Sequence, residues 1–252
     1  MKRWMSCNKL KLNHDKTELL NVMSPYHMNR FGRQSVQIDD ITIHPSDAVK
    51  SLGVFLDQHL TMSRQVSSVI QTCNLHLRNI GRVRHYLTTD ACKTAVQTLI
   101  TSRVDYCCSL LNGLPLREIQ RLQRLQNRVA RVVTRSAVSD HITPVLRSLH
   151  WLPVSYRVQF RLCSFIYRCL TGTAPEYLRS LFVRYAPRRS LRSSSDQLIL
   201  RVPRAHKAIG RRAFSSATHL WNALPHAIRH SVTPTTFYAS LKTHFFKIAF
   251  NV

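Results

Sequence analysis

Acidic residues are scarce in this sequence. Its 252 residues include 12 Asp and Glu against 37 Lys and Arg, which gives a net charge of +25. The imbalance grows after His141, where Glu176 and Asp196 are the only acids beside 17 Lys and Arg. A surface of one sign repels itself unless a counter-charge binds to it, so the composition predicts a polyanionic partner such as nucleic acid.

Long apolar runs and cysteine pairs are also missing. The sequence has no run of about 18 apolar residues, the length needed to span a membrane. Its first residues also lack the apolar core of a signal peptide. We therefore expect an intracellular protein, nuclear or cytoplasmic, that is not secreted and has no membrane partner. The seven cysteines contain no Cys-x-x-Cys pair, which argues against a disulfide framework or a zinc site and predicts mostly buried thiols.

The pattern of apolar residues predicts an α+β protein that is mainly α. Short alternating segments before residue 60 favour strands, whereas from Thr61 onward apolar residues recur every three and four positions, as on one face of a helix. Thr88 or Thr89 is a good N-cap for a helix that continues to about Leu111. Two final helices are predicted at about 212–229 and 235–250.

A predicted helix from about Leu116 to Arg135 carries the clearest site signal. Six arginines recur on it with spacings of 4, 3, 4, 3 and 4 residues, so they stay within about 40° of one line along the helix. They are Arg117, Arg121, Arg124, Arg128, Arg131 and Arg135. Such a row is commonly a solvated face. If all six arginines contacted duplex DNA, log affinity would fall with log salt with a slope of about −5.

The predicted basic linker, about 184–211, supplies further candidate ligands for nucleic acid. The stretch from Arg184 to Arg212 holds nine Lys and Arg and one acid, and it encloses one short predicted strand near Leu198 to Val202. The candidate ligands there are Arg188, Arg189, Arg211 and Arg212.

Other site types are weakly indicated. The adjacent pair Asp39-Asp40 lies between two apolar alternations, where we expect a hairpin turn rather than a catalytic pair. His226 and His230 have the spacing of two ligands on a helix but lack a third, so no metal site is predicted. Trp151 and Trp221 could stack on bases, but their apolar neighbours favour core positions. No nucleophile-elbow or Walker pattern indicates hydrolase or nucleotidase chemistry.

Short signatures occur along the chain in a fixed order. They are Trp4-Met5-Ser6, Leu10 to Thr17, Ser51 to Asp57, Arg103-Val104-Asp105-Tyr106-Cys107, Leu149 to Val154, Thr171 to Pro175 and Leu220 to Pro225. Together they resemble the C-terminal part of the polyprotein of non-LTR (LINE-type) retrotransposons of the jockey and chicken-repeat-like groups. The resembling region lies downstream of the catalytic Asp-Asp motif of the reverse transcriptase and covers nearly the whole chain.

The resemblance implies three regions. Residues 1–60 would be the end of the polymerase palm, 61–136 a thumb-like helical bundle, and 137–252 a basic helical C-terminal region that includes the linker. Lys16 matches the basic residue thought to donate a proton to pyrophosphate, and the alternative is an ordinary surface lysine. Leu52 and Gly53 match the hairpin that grips the primer end, where strand geometry alone also explains the glycine.

The resemblance also implies a function. Reverse transcriptases hold two Mg²⁺ ions on palm carboxylates, and those ligands are missing here. We therefore expect a catalytically inactive fragment of an RNA-directed DNA polymerase that binds RNA, DNA or a hybrid duplex without sequence preference. Two alternatives stay open: a translated degenerate insertion with no function, and a helical protein-interaction module adopted by the host.

Overall fold

A computed structural model describes residues 2–11, 13–38, 41–186 and 198–252. The chain divides into two compact units, Met1–Ser68 and Val69–Val252. Helices dominate, with two small antiparallel sheets, so the predicted α+β, mainly α, class is confirmed. Within the described ranges, no helix combines the length and apolarity needed to cross a membrane.

The first unit contains two short helices and two β-hairpins. Its elements are α1 (Lys2–Cys7), a 3₁₀ turn (His14–Lys16), α2 (Pro25–Phe31), β1 (Val36–Ile38), β2 (Ile41–Ile43), β3 (Ala48–Ser51) and β4 (Val54–Asp57). Each hairpin forms its own two-stranded sheet, β1 with β2 and β3 with β4. Such ribbons are marginally stable alone, and the unit buries few large apolar side chains, among them Ile43 and Val54.

The turn between β3 and β4 shows how local sequence sets register. Ser51 pairs with Val54, which leaves Leu52 and Gly53 as a two-residue loop with φ of 46° and 83°. Positive φ at both positions is the type I′ geometry that matches the twist of a hairpin. Glycine adopts it without strain, whereas Leu52 does so at a steric cost and is 88% exposed.

A long helix, α3 (Ser63–Val83), leads into the second unit. The elements that follow are α4 (Thr89–Val96), α5 (Ser102–Asp105), α6 (Leu116–Thr134), α7 (Ile142–Ser148), α8 (Val154–Leu170), α9 (Glu176–Arg179), α10 (Ala208–Arg211), α11 (Thr218–Asn222), α12 (His226–Arg229) and α13 (Pro234–Phe250). Thr88 is the N-cap of α4, and its hydroxyl accepts a hydrogen bond from the Ala91 N–H, as predicted.

Two predicted helices are interrupted. The helix from Thr89 passes through a π-helical segment, Gln97–Thr101, before α5, and the chain then turns at Cys107 with φ of 51°. The prediction of one helix to Leu111 was therefore wrong. The predicted helix at 212–229 is likewise divided, because Pro225 lacks an N–H and begins α12 instead of continuing α11.

Two apolar layers hold the second unit together. The first joins α3, α4 and α6, and its buried side chains include Cys73, Val96 and Leu125. The second joins α8, α11 and α13 around Trp221 and Phe237, which are fully buried. The helical stripes predicted from the sequence face these two cores.

The segment before α10 is also attached to the helical body. Leu200 is 1% exposed, and its N–H and C=O both bond the Asn222 side chain, at 2.9 and 2.8 Å. In place of the short strand predicted near Leu198 to Val202, the chain forms one isolated antiparallel bridge between Arg184 and Leu200.

Candidate nucleic-acid interface

Helix α6 presents the arginine row on its solvent side. Leu122, Leu125, Val129 and Val133 are buried on one face, and the arginines lie roughly 120° around the helix from it by helical arithmetic. The helix ends at Thr134, and Arg135 at its C-cap adopts the left-handed conformation with φ of 58°. The arginine row therefore belongs to a well-packed helix. Three of its side chains have no partner within the described residues, and the other three have partners inside the protein.

Three of the six arginines are exposed and available. Arg117, Arg124 and Arg128 point into solvent, and none of their guanidinium groups has a hydrogen bond or ion pair within the described part of the chain. Arg117 and Arg128 are eleven positions apart, or about 16 Å along the helix axis. At 3.4 Å per base pair this length matches about five steps of a duplex.

The other three arginines have partners inside the protein. Arg121 Nη1 donates to Glu118 Oε2 at 2.7 Å, and this carboxylate is only 11% exposed, so Arg121 supplies the counter-charge that a buried acid requires. Arg131 donates to the carbonyl oxygens of Ala137 and Asp140, at 3.2 and 3.1 Å, and thereby closes the loop after α6. These two side chains stabilise the fold, so the row offers fewer phosphate ligands than its spacing suggests.

Arg135 takes part in a reciprocal contact with Arg84. Arg135 Nη2 donates to the Arg84 carbonyl at 3.1 Å. In return, the Arg84 guanidinium donates to the carbonyls of Val132 and Val133, at 2.8 and 2.7 Å, and to Leu87 O at 2.8 Å. The last carbonyls of a helix lack intrahelical partners, so Arg84 caps α6. Sequence reasoning missed this role, since Arg84 belongs to no periodic pattern.

The remaining predicted arginines are dispersed. Arg211 is exposed at the end of α10, whereas Arg212 is half-buried with its side chain against Gly113, where an added Cβ would lie 2.7 Å from Arg212 Cγ. Arg188 and Arg189 lie outside the described residues. The Arg212 side chain therefore packs against the fold at Gly113. Neither Arg211 nor Arg212 belongs to the helix face that carries the arginine row of α6.

In the first unit, the three candidate residues from the resemblance occupy two turns. Lys16 is exposed in the 3₁₀ turn that follows Asn13, whose side-chain oxygen accepts from the Asp15 N–H at 3.1 Å. Leu52 and Gly53 form the β3–β4 turn. Asp39 and Asp40 lie outside the described residues.

Asp57 closes the β3–β4 hairpin and organises the start of α3. Its carboxylate accepts from the N–H groups of His59, Thr61 and Met62 and from the Thr61 hydroxyl. Burial raises the pKa of Asp57, but these hydrogen bonds outweigh burial and hold the pKa below its usual value. The acid at the end of the Ser51 to Asp57 signature thus has a structural explanation.

Metal and stacking candidates have ordinary surroundings. Over the described ranges, no group of three or more His, Cys, Asp or Glu could hold a metal ion. The rings of His226 and His230 stack at 4.0 Å between centroids. Trp221 is fully buried and its indole N–H bonds Leu198 O at 2.8 Å; Trp151 is half-buried against the first core.

Most of the cysteines are buried core residues, as predicted. Five are buried, and Cys7 and Cys107 are exposed. Burial raises the pKa of Cys73 to about 11 and that of Cys163 to about 12, which keeps these thiols protonated and unreactive at neutral pH.

Comparisons of this chain with protein-family models, with curated proteins and with solved structures found no match.

Proposed function

We propose that this chain binds nucleic acid without sequence preference and that Arg117, Arg124 and Arg128 of α6 form the central contact. The observation that carries the proposal is this exposed triplet on a rigid helix, in a protein with a net charge of +25. Arginine pairs with phosphate through a planar fork of donors. Contacts of this kind position a duplex and carry no sequence information.

The energetics of the row favour a bound polyanion. Like charges three and four residues apart on a helix repel one another by about 0.2–0.5 kcal/mol per pair, and Arg124 and Arg128, which are four residues apart, have no acidic partner in the described ranges. Phosphates would relieve this repulsion and release counterions. Three contacts account for a salt slope of about −2.7, which corresponds to roughly a 40-fold loss of affinity between 50 and 200 mM salt.

The ordered signatures support an origin in the C-terminal part of a LINE-type reverse transcriptase. In this proposal the ancestral reaction is RNA-directed DNA polymerisation, and the chain itself does not catalyse it. The partner is RNA, DNA or a hybrid duplex. Template-directed nucleotide incorporation by the purified chain with Mg²⁺ would contradict the inactive part of the proposal without touching the binding part.

The test of binding is fluorescence anisotropy with labelled DNA, RNA and hybrid duplexes across a salt series. The Arg117→Gln, Arg124→Gln, Arg128→Gln triple variant should flatten the salt slope by about 2.7 on every duplex. Glutamine has a similar helix propensity to arginine, so α6 should persist, which circular dichroism would verify.

A matched control removes the same charge elsewhere. Arg78, Arg168 and Arg204 are exposed on three separate segments, and their triple glutamine variant has the same net charge as the α6 variant. It should change the slope by less than about 1. Equal slopes for the two triple variants would show that net charge alone drives binding, and no binding at low salt would overturn the proposal.

A further inference from the structure

A cleft in the second unit is lined by side chains from four separate segments, three of which supply basic or aromatic side chains. Its volume is about 420 Å³, and Gln97, Trp151, Phe160, Arg161 and Lys242 all border it. This volume lies within the range of about 300–1,000 Å³ that is typical of small-molecule sites. It is far too small for a duplex but suits a single nucleotide.

The charges in the cleft leave two cations available. Asp105 also lines the cleft, but its carboxylate pairs with Arg157 Nη2 at 2.7 Å, and both side chains are about one-fifth exposed. That pair is therefore neutral as a unit and fixed in place. Arg161 and Lys242 are exposed on α8 and α13, so an anionic group entering the cleft meets an excess of positive charge.

The aromatic side chains provide an apolar wall beside these cations. Trp151 packs against the first core and also borders the cleft. Phe160, on α8, borders the cleft as well and is half-buried. A planar base can stack on such side chains, and a neighbouring phosphate can reach a cation. Stacking of this kind is the usual way in which proteins hold unpaired bases.

The backbone departs from regular α-helical geometry on one side of the cleft. Gln97 begins the π-helical segment Gln97–Thr101, and such segments are frequent at functional sites. On another side, His150 has a positive φ of 54° because it ends α7, where the His150 N–H bonds Arg147 O and the Trp151 N–H bonds Leu146 O, each at 3.0 Å.

We infer that this cleft binds one unpaired nucleotide of a nucleic-acid strand, with its phosphate at Arg161 and Lys242 and its base against Trp151 and Phe160. The inference rests on the proposed function in taking nucleic acid as the partner. It adds a second site, which recognises a single-stranded end or overhang, to the duplex contact on α6.

The experiment compares a blunt duplex with the same duplex carrying a short single-stranded overhang that contains 2-aminopurine. The overhang should tighten binding about tenfold, as one stacked base does, and should change the 2-aminopurine fluorescence. The Arg161→Gln, Lys242→Gln double variant should lose that gain, and the salt slope on the overhang should fall by about 1.4. Affinity for the blunt duplex should stay unchanged.

The matched control is the Arg168→Gln, Lys247→Gln double variant, which removes one exposed cation from each of the same two helices outside the cleft. It should retain the overhang effect. Equal loss in both double variants, or no overhang effect in a protein that binds blunt duplex, would overturn the inference while leaving the proposed function intact. Free dAMP should compete with the overhang and leave blunt-duplex binding unaffected, because one nucleotide fills the cleft.

Discussion

Replacing Arg84 by methionine removes the guanidinium that caps the end of α6. Arg84 is 8% exposed, and its three donors reach the carbonyls of Leu87, Val132 and Val133 at 2.7–2.8 Å. Methionine fills a similar volume but donates no hydrogen bond. The change therefore isolates the polar contribution of the cap from its packing.

The expected loss is about 3 kcal/mol of the free energy of unfolding. Hydrogen bonds from a charged group contribute about 1.5–3 kcal/mol each, so three would give several kcal/mol if they were additive. Water can reach part of the exposed end of α6 once the guanidinium is gone, which lowers the cost. The free energy of unfolding of the Arg84→Lys variant should lie between those of the unmodified protein and the Arg84→Met variant, because one compact ammonium group cannot span three separated carbonyls.

Urea unfolding followed by circular dichroism measures this loss, with the slope of the transition compared between variants. The control is Arg82→Met on the exposed side of α3, which should stay within about 0.5 kcal/mol of the unmodified protein. An Arg84→Met variant as stable as the Arg82→Met variant would refute the capping role.

Three further predictions follow from the structure. A thiol reagent at mildly alkaline pH should modify Cys7 and Cys107 quickly in the folded protein and all seven cysteines in urea; early labelling of a third thiol would contradict the burial. Asp57→Asn should destabilise the first unit, seen as faster proteolysis of residues 1–68. Because the pKa of Asp57 is lowered in the folded protein, its contribution to stability is present above its unfolded pKa and is lost as pH falls through the folded value. The Asp57→Asn variant and the unmodified protein should therefore have similar stability in acid. Gly113→Ala should lower the unfolding free energy by more than about 1 kcal/mol, since φ is +67° and Arg212 crowds the site, whereas Gly81→Ala, with open space in α3, should raise it by about 0.5–1 kcal/mol.

Helices were predictable where the information is local. The bounds of α13, Pro234–Phe250, lie within one residue of the predicted helix at 235–250, and α6 ends within one residue of its prediction. Periodicity, caps and prolines act over a few residues, so a sequence records them directly. The π-helical segment at Gln97 has no comparable local sequence signal, because packing rather than helix propensity sets its geometry.

The candidate interface was only half predictable. The spacing of the row determined that the arginines from Arg117 to Arg131 share one face of α6, whereas Arg135 lies at the C-cap in the left-handed conformation. Tertiary structure decided which of them remain available, since Arg135 and Arg84 contact each other across about fifty residues, and Arg131 is held by carbonyls of the following loop. The cleft bordered by Trp151 and Lys242 has no sequence signature, because its walls come from segments that only folding brings together. Periodicity can be seen directly in the sequence. The partners of a charged side chain instead depend on distances in space, which are fixed only when the cores are packed.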